Sequence, residues 1–175
     1  MGVTYTTATG ATYVPLATYT VTGSATSTIS FTSFAGYTDL RIVVSGAGDT
    51  SGYMALKLNN DGSSLYSRTS LTGNGTSAGS GSATGNTALY VDTSIYNSSM
   101  GSCTTLDIFN YANTTTYKTA IERAVASSGT ALTTTISWVF LYRSTNAITS
   151  LYFNGSGGAS LQVGLTISLY GILGA

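Results

Sequence analysis

Residues 131–143, ALTTTISWVFLYR, carry the strongest constraint on what this chain can become, because the character of the side chains alternates with a period of two. Leu132, Ile136, Trp138, Phe140 and Tyr142 fall on one side, and Thr133, Thr135 and Ser137 on the other. Only an extended chain sends successive side chains to opposite faces, so the stretch reads as a β-strand with one buried and one polar face. Trp138 and its apolar neighbours are then expected in a core between two sheets.

The same period recurs along the chain. Residues 103–119, CTTLDIFNYANTTTYKT, bring one alternating stretch into a turn and start a second, the reading of a β-hairpin. Leu106 and Ile108 point one way and Asp107 and Phe109 the other, while Thr119, Ile121 and Val125 share a face of the returning arm. Asn110 and Asn113 can make the turn, since asparagine tolerates left-handed backbone and bonds its own main chain.

Leu40, Ile42 and Val44 alternate with Asp39 and Arg41; Ile29 and Phe31 keep step in STISF, before a turn around Ala35 and Gly36; Met54, Leu56 and Leu58 repeat the pattern. Further strands are expected at Leu89 and Val91, extending towards Thr93 and Ile95, at ITSLYF and at the closing LQVGLTISLYGIL. In the last, Leu161, Val163, Leu165, Ile167 and Leu169 oppose Gln162, Thr166 and Ser168.

Residues 12–21 place Tyr13, Pro15, Ala17, Tyr19 and Val21 on one side, and the proline marks a peripheral strand. No stretch shows helical period over a useful length. About ten short strands separated by turn signals imply an all-β chain, an antiparallel β-sandwich resembling a jelly roll. The domain reading is an N-terminal arm over 1–11, which orders against a neighbour, and a single sandwich over 12–175. Within it, LTGNGTSAGSGSATGN has too few apolar side chains to fill a core, so 72–86 is expected as a flexible, exposed Gly/Ser-rich loop.

Composition limits the chemistry. Only 7% of residues are charged and six acids balance six bases, so hydroxyls and amides must cover the surface. Lys57, Arg41, Arg68, Lys118, Arg123 and Arg143 are scattered along the chain, which argues against a nucleic-acid partner. There is no apolar run of membrane-spanning length and no signal-peptide pattern. The chain contains no histidine, which removes a Ser-His-Asp triad, a histidine metal cluster and the usual general base.

Cys103, the one cysteine, reads as a buried or half-buried thiol rather than a nucleophile. GAGDTSG lacks the lysine of a phosphate loop. Asn59-Asn60-Asp61-Gly62 reads as a turn rather than a calcium loop, with Asp-Gly supplying the positive backbone angle. Asn-x-Ser/Thr triplets at Asn74, Asn97, Asn113 and Asn154 arise readily in so Ser/Thr-rich a chain. Asp107 and Glu122, on the two arms of the hairpin, are the one carboxylate pair that a hydrolase could use, with a surface charge cluster including Lys118 and Arg123 as the blander account. On this reading the chain is not an enzyme: no catalytic, metal or cofactor-binding residue is assigned, and no cofactor is expected.

The segments YVPLATYTV, TDLRIVVSG, MALKLNNDGSSLYSRTSLTGNG, IFNYANTTTYKT and ITSLYF…SLYGIL together resemble a family of small structural proteins of tailed bacteriophages, with NYANTTTYKT and the terminal LYGI the most specific. The resemblance implies a virion component with a β-sandwich fold, in capsid decoration or in a tail fibre. It transfers no catalytic residue. The expectation is a capsid decoration or cement protein on the phage particle, made in the host cytoplasm. Its partners would be the major capsid protein and its own copies, as a homotrimer, with neither nucleic acid nor membrane. The rival is a tail-fibre module that recognises host-surface glycans through Tyr, Trp and Asn side chains. A polysaccharide hydrolase built on Asp107 and Glu122 is a third possibility.

Overall fold

The computed structural model describes residues 12–46, 53–91, 102–128 and 131–174, and among these twelve strands follow one another. They are β1 Tyr13–Thr20, β2 Thr28–Thr32, β3 Asp39–Gly46, β4 Met54–Leu58, β5 Tyr66–Gly73, β6 Ala78–Asn86, β7 Leu89–Val91, β8 Ser102–Phe109, β9 Lys118–Ser128, β10 Ala131–Tyr142, β11 Ser150–Gly155 and β12 Thr166–Ile172. A one-turn 3-10 segment at Ser156–Gly158 is the sole helical element among the described residues.

All pairings are antiparallel and make two sheets, one of eight strands in the order β1-β12-β3-β8-β9-β10-β5-β6 and one of four in the order β2-β11-β4-β7. If the hairpins β5–β6 and β9–β10 are set aside, the remainder is two four-stranded sheets, β1-β12-β3-β8 and β2-β11-β4-β7. That order, with the chain crossing repeatedly between the sheets, is the double Greek key of a jelly roll. The two hairpins extend its larger sheet beyond β8.

The alternations read from sequence fall on the faces that the fold needs. Leu40, Ile42 and Val44 of β3, Leu106 and Ile108 of β8, Trp138, Phe140 and Tyr142 of β10 and Ile167 and Leu169 of β12 are all buried. They meet Ile29, Phe31, Leu56, Leu58, Leu151 and Phe153 of the smaller sheet in one cluster. Removing this much apolar surface from water is the main force holding the sheets together. Gly171 shows why the closing LYGI ends as it does: a Cβ there would come within 2.4 Å of the Tyr37 ring, so the ring lies flat on the strand only above glycine.

Several expectations need correction. The tract 72–86 does not form a long loop: after the turn at Asn74–Ser77 it forms β6, paired with β5 from Gly73↔Ala78 to Tyr66↔Asn86. Poor core-forming ability says nothing about the backbone, which pairs whatever its side chains. Val163 is 51% exposed and does not join the core, because Gln162–Leu165 is a turn closed by a Leu165 N–H to Gln162 oxygen bond, with Gly164 at φ 92°.

Cys103 is exposed, not buried; it stands opposite Ser45 and Val125 on the outer face of its strand. In the Asn59–Gly62 turn the left-handed residues are Asn59 and Asn60, both at φ 56°, rather than Gly62. β1 is a peripheral strand as expected, but a bulge at Leu16 turns its chain over. Tyr13 and Pro15 therefore share the outer face with Ile172 and Tyr170, while Ala17 and Tyr19 pair with the inward-facing Leu169 and Ile167. The arm 1–11, Thr93 and Ile95, Asn97 and most of GAGDTSG lie outside the described residues.

Candidate functional site

The hairpin β8–β9 forms as read, with Phe109 opposite Thr119 and Cys103 opposite Val125. Its turn uses both asparagines: Asn110 is left-handed at φ 50°, and Asn113 Oδ1 accepts the N–H groups of Thr115 and Thr116 at 2.7 and 2.8 Å. Thr119, Ile121 and Val125 do share a face, but it is the outer one.

The inner face of β9 carries Lys118, Ala120, Glu122 and Ala124, all buried. The small alanines lie opposite Phe140 and Ile136, and Glu122 lies opposite Trp138. Bulky β10 leaves room only for small or slender partners, which is why alanine alternates with long charged side chains there.

This geometry separates the two carboxylates. Asp107 pairs with Ile121 on the outer face, whereas Glu122 pairs with Leu106 on the inner one, so the sheet itself stands between them. Asp107 accepts two bonds from Arg41, from Nε and Nη2, each 2.6 Å long. That fork raises the Arg41 guanidinium further above neutrality, and the Tyr13 ring lies 5.0 Å from it.

The acid pair of a glycosidase is therefore not assembled, and the surface charge cluster is not assembled either. Lys118 is buried, its Nζ donating to the Thr116 and Thr145 carbonyl oxygens at 2.9 and 3.2 Å, and burial lowers its pKa. Arg123 points outwards, between Thr105 and Ser137.

Two other arrangements emerge. The first is a polar pin between the sheets: the Tyr66 and Tyr142 rings stack at 4.7 Å, Tyr142 Oη donates to Asp61 Oδ2 at 2.7 Å, and Tyr66 Oη donates to the Asp61 carbonyl at 3.0 Å while accepting the Leu58 N–H at 3.1 Å. Bonds from the Ser63 hydroxyl, then from Tyr142, hold the Asp61 carboxyl below its ordinary range. Its oxygens are thus engaged within the chain, and among the described residues no cluster of His, Cys, Asp or Glu could hold a metal ion.

The second is a cluster of Trp138, Tyr53, Tyr90 and Arg68. Tyr53 stands 5.9 Å from Trp138 and 6.3 Å from Tyr90, and the Arg68 guanidinium lies 4.4 Å from the Trp138 ring and 5.3 Å from that of Tyr90. Arg68 Nη1 and Trp138 Nε1 are buried without a hydrogen-bond acceptor among the described residues, whereas Tyr53 is 44% exposed at the rim. The Tyr53 ring at the rim offers an aromatic face on which a sugar C–H face can stack, and the two donors lie behind it, closed to solvent. The sequence pointed to Trp138 but not to Arg68, Tyr53 or Tyr90, which come from three separate strands or strand starts and share no motif.

The largest surface feature is the outer face of the eight-stranded sheet. At a strand spacing of about 4.8 Å it is roughly 35 Å wide. Hydroxyl pairs line one end, Thr18 with Ser168 and Thr20 with Thr166, both at 3.0 Å. Ile121, Val139 and Leu71, 36%, 51% and 65% exposed, form a low apolar strip across β9, β10 and β5. Charge on this face cancels, with Asp39 and Asp107 against Arg41 and Arg123.

No family model and no curated protein matches the chain. Among solved structures, a similarity is found to a candidate pore-forming toxin from Bacteroides vulgatus at 7% identity and a TM-score of 0.11, covering 78% of this chain and 58% of that one. This chain thus spans less than two thirds of that protein's length, and so slight a likeness carries no argument. Among the described residues no helix is long and apolar enough to cross a membrane.

Proposed function

We propose that this protein is a structural component of a phage particle, a decoration or cement protein that lies on the capsid and bridges neighbouring subunits of the major capsid protein, as a homotrimer at local three-fold positions. The observation that carries the reading is the wide outer face of the eight-stranded sheet, where hydroxyls, a short aliphatic strip and self-cancelling charges make a surface suited to broad, low-charge contact. The separation of Asp107 from Glu122 supports a non-catalytic role, and the phage-protein resemblance of the NYANTTTYKT and LYGI segments points to a virion.

Particles lacking the protein test this directly, through the heat stability of the heads and adsorption to host cells. The expected outcome is fragile heads that still adsorb; robust heads that fail to adsorb overturn the reading.

One observation favours a second reading. The exposed Tyr53 ring, packed on Trp138 and Tyr90, suits stacking on a host-surface glycan, as in a tail-fibre module. In that case Tyr53→Ala would abolish adsorption while leaving head stability unchanged.

A further inference from the structure

The two edges of the eight-stranded sheet are built differently. At one end, β1 is blunted: Pro15 offers no N–H, and the bulge at Leu16 breaks the ladder. At the other end, β6 has the sequence AGSGSATGN, nine residues with neither charge nor proline. Among the described residues it pairs with β5 on one side only, and seven of its nine residues are exposed. From Ala78 to Ala83 the register with β5 is unbroken; the irregularity comes only beyond, where Gly85 takes φ 70°. The edge strands of the smaller sheet, β2 and β7, are five and three residues long.

Antiparallel pairing turns alternate peptide groups of a strand away from its partner. Along Ala78–Ala83 those groups meet solvent with almost no side chain to screen them. The glycines have a local reason: a Cβ at Gly79 or Gly81 would lie 3.1 Å from Thr72 Oγ1 or 3.3 Å from Ser70 Oγ, the hydroxyls that reach across to the Gly79 and Gly81 carbonyl oxygens. The same choice leaves the outer side of the strand bare.

We infer that this edge is a docking site for β6 of a second copy of the chain, paired antiparallel about a two-fold axis so that the two large sheets become continuous. A foreign peptide strand is selected by pockets for its alternate side chains or by opposite charge, and AGSGSA offers neither. A second β6 brings the same small, uncharged residues to itself, with no clash and no repulsion at any position.

A ladder of about six residues a side buries far less than the roughly 1,200 Å² of a standing complex, so the contact is weak for free molecules and strong only where many copies are held side by side. The inference rests on this edge and not on the capsid reading, with which it is compatible: a two-fold contact through β6 joins oligomers made through other surfaces.

Sedimentation equilibrium over about 1 μM to about 1 mM, the range in which such weak contacts populate, tests it together with single cysteines placed at positions 79 to 83 in a Cys103→Ser background. The expected result is concentration-dependent association and an intermolecular disulfide yield that peaks at one position and falls on both sides, the pattern of an antiparallel two-fold. Ser80→Lys with Ser82→Lys, both on the solvated outer face, keeps the fold by circular dichroism and weakens association at least about tenfold through like charges set across the pair. A wild-type chain that stays monomeric throughout, an even disulfide yield, or a doubly substituted chain that associates as well as wild type overturns the inference.

Discussion

Trp138 joins chemistries that are usually kept apart: its ring is covered by Phe140 and Tyr53, a guanidinium lies 4.4 Å from it, and a fully buried glutamate stands on the neighbouring strand. Trp138→Ala empties a large inner-face volume and leaves Arg68 and Glu122 to rearrange, so it should cost about 3 to 5 kcal/mol in urea unfolding. In the native wild type the same ring should emit at short wavelength, as buried indoles do.

Titration reports on the polar pin. Burial pushes Tyr142 up to about 12, raises Tyr66 further and raises Tyr111 as well. The unfolded phenol ionises near pH 10, so the folded state holds more protons above that pH. The stability these tyrosines contribute is complete below pH 10 and is lost as pH rises towards and beyond 12. Burial of Lys118 acts in the opposite sense, since its lowered pKa makes the unfolded state the more protonated just below its ordinary value. One lysine against three phenols leaves a net alkaline loss. Absorbance at the phenolate band should show Tyr66, Tyr111 and Tyr142 ionising late, and Tyr142→Phe should remove one of these late steps and soften the alkaline limb of unfolding.

At this scale the large side chains were legible, because Trp138, Phe140 and Ile167 lie in clean alternations. The placing of Cys103 and Glu122 was not: with Ile121 and Val125 on one side of β9, apolar character pointed the wrong way. The signal present was volume, since alanines in alternate positions face bulky residues on the next strand.

Two turns of the large sheet share one construction. In the β5–β6 turn Asn74 Oδ1 accepts the N–H groups of Thr76 and Ser77 at 3.0 and 2.8 Å, as Asn113 does for Thr115 and Thr116 at the β8–β9 turn. Both lie in Asn-x-Ser/Thr triplets, which therefore have a conformational reason to exist: the carboxamide oxygen replaces a strand partner where the ladder ends. Asn113→Ala should cost about 0.5 to 1.5 kcal/mol, since the exposed Thr115 and Thr116 N–H groups must then turn to water, and Asn113→Asp, which keeps the acceptor, should cost less in the same unfolding assay.

Most strands with contrasting faces could be read from sequence to within a residue or two, but β12 starts at Thr166, five residues after the expected Leu161. β6 could not, because its pairing depends on main-chain groups common to every residue, and its position beside β5 follows from the Asn74 turn. The bulge in β1 was also hidden, since nothing in YVPLATYT marks Leu16 as the extra residue.

For the molecule as a whole, alternation with turns at short spacing was enough to imply a sandwich, but strand order is a long-range property. The two hairpins that widen one sheet are what distinguish this jelly roll from a bare eight-stranded one, and they create both the broad outer face and the unprotected edge.

The order has a further consequence, for the timing of folding. β12 comes after every other described strand in the chain, yet it lies between β1 and β3, with Ile172 opposite Tyr13 and Ile167 opposite Val44. Until residue 172 has left the ribosome, β1 lacks its described sheet partner and β3 lacks one of its two, so this end of the larger sheet cannot close before then. Pairs this far apart in sequence make closure slow, and the nascent chain waits with β1 unpaired and β3 open on one side. Such a chain benefits from a surface with few apolar runs and from chaperones that hold it until β12 arrives.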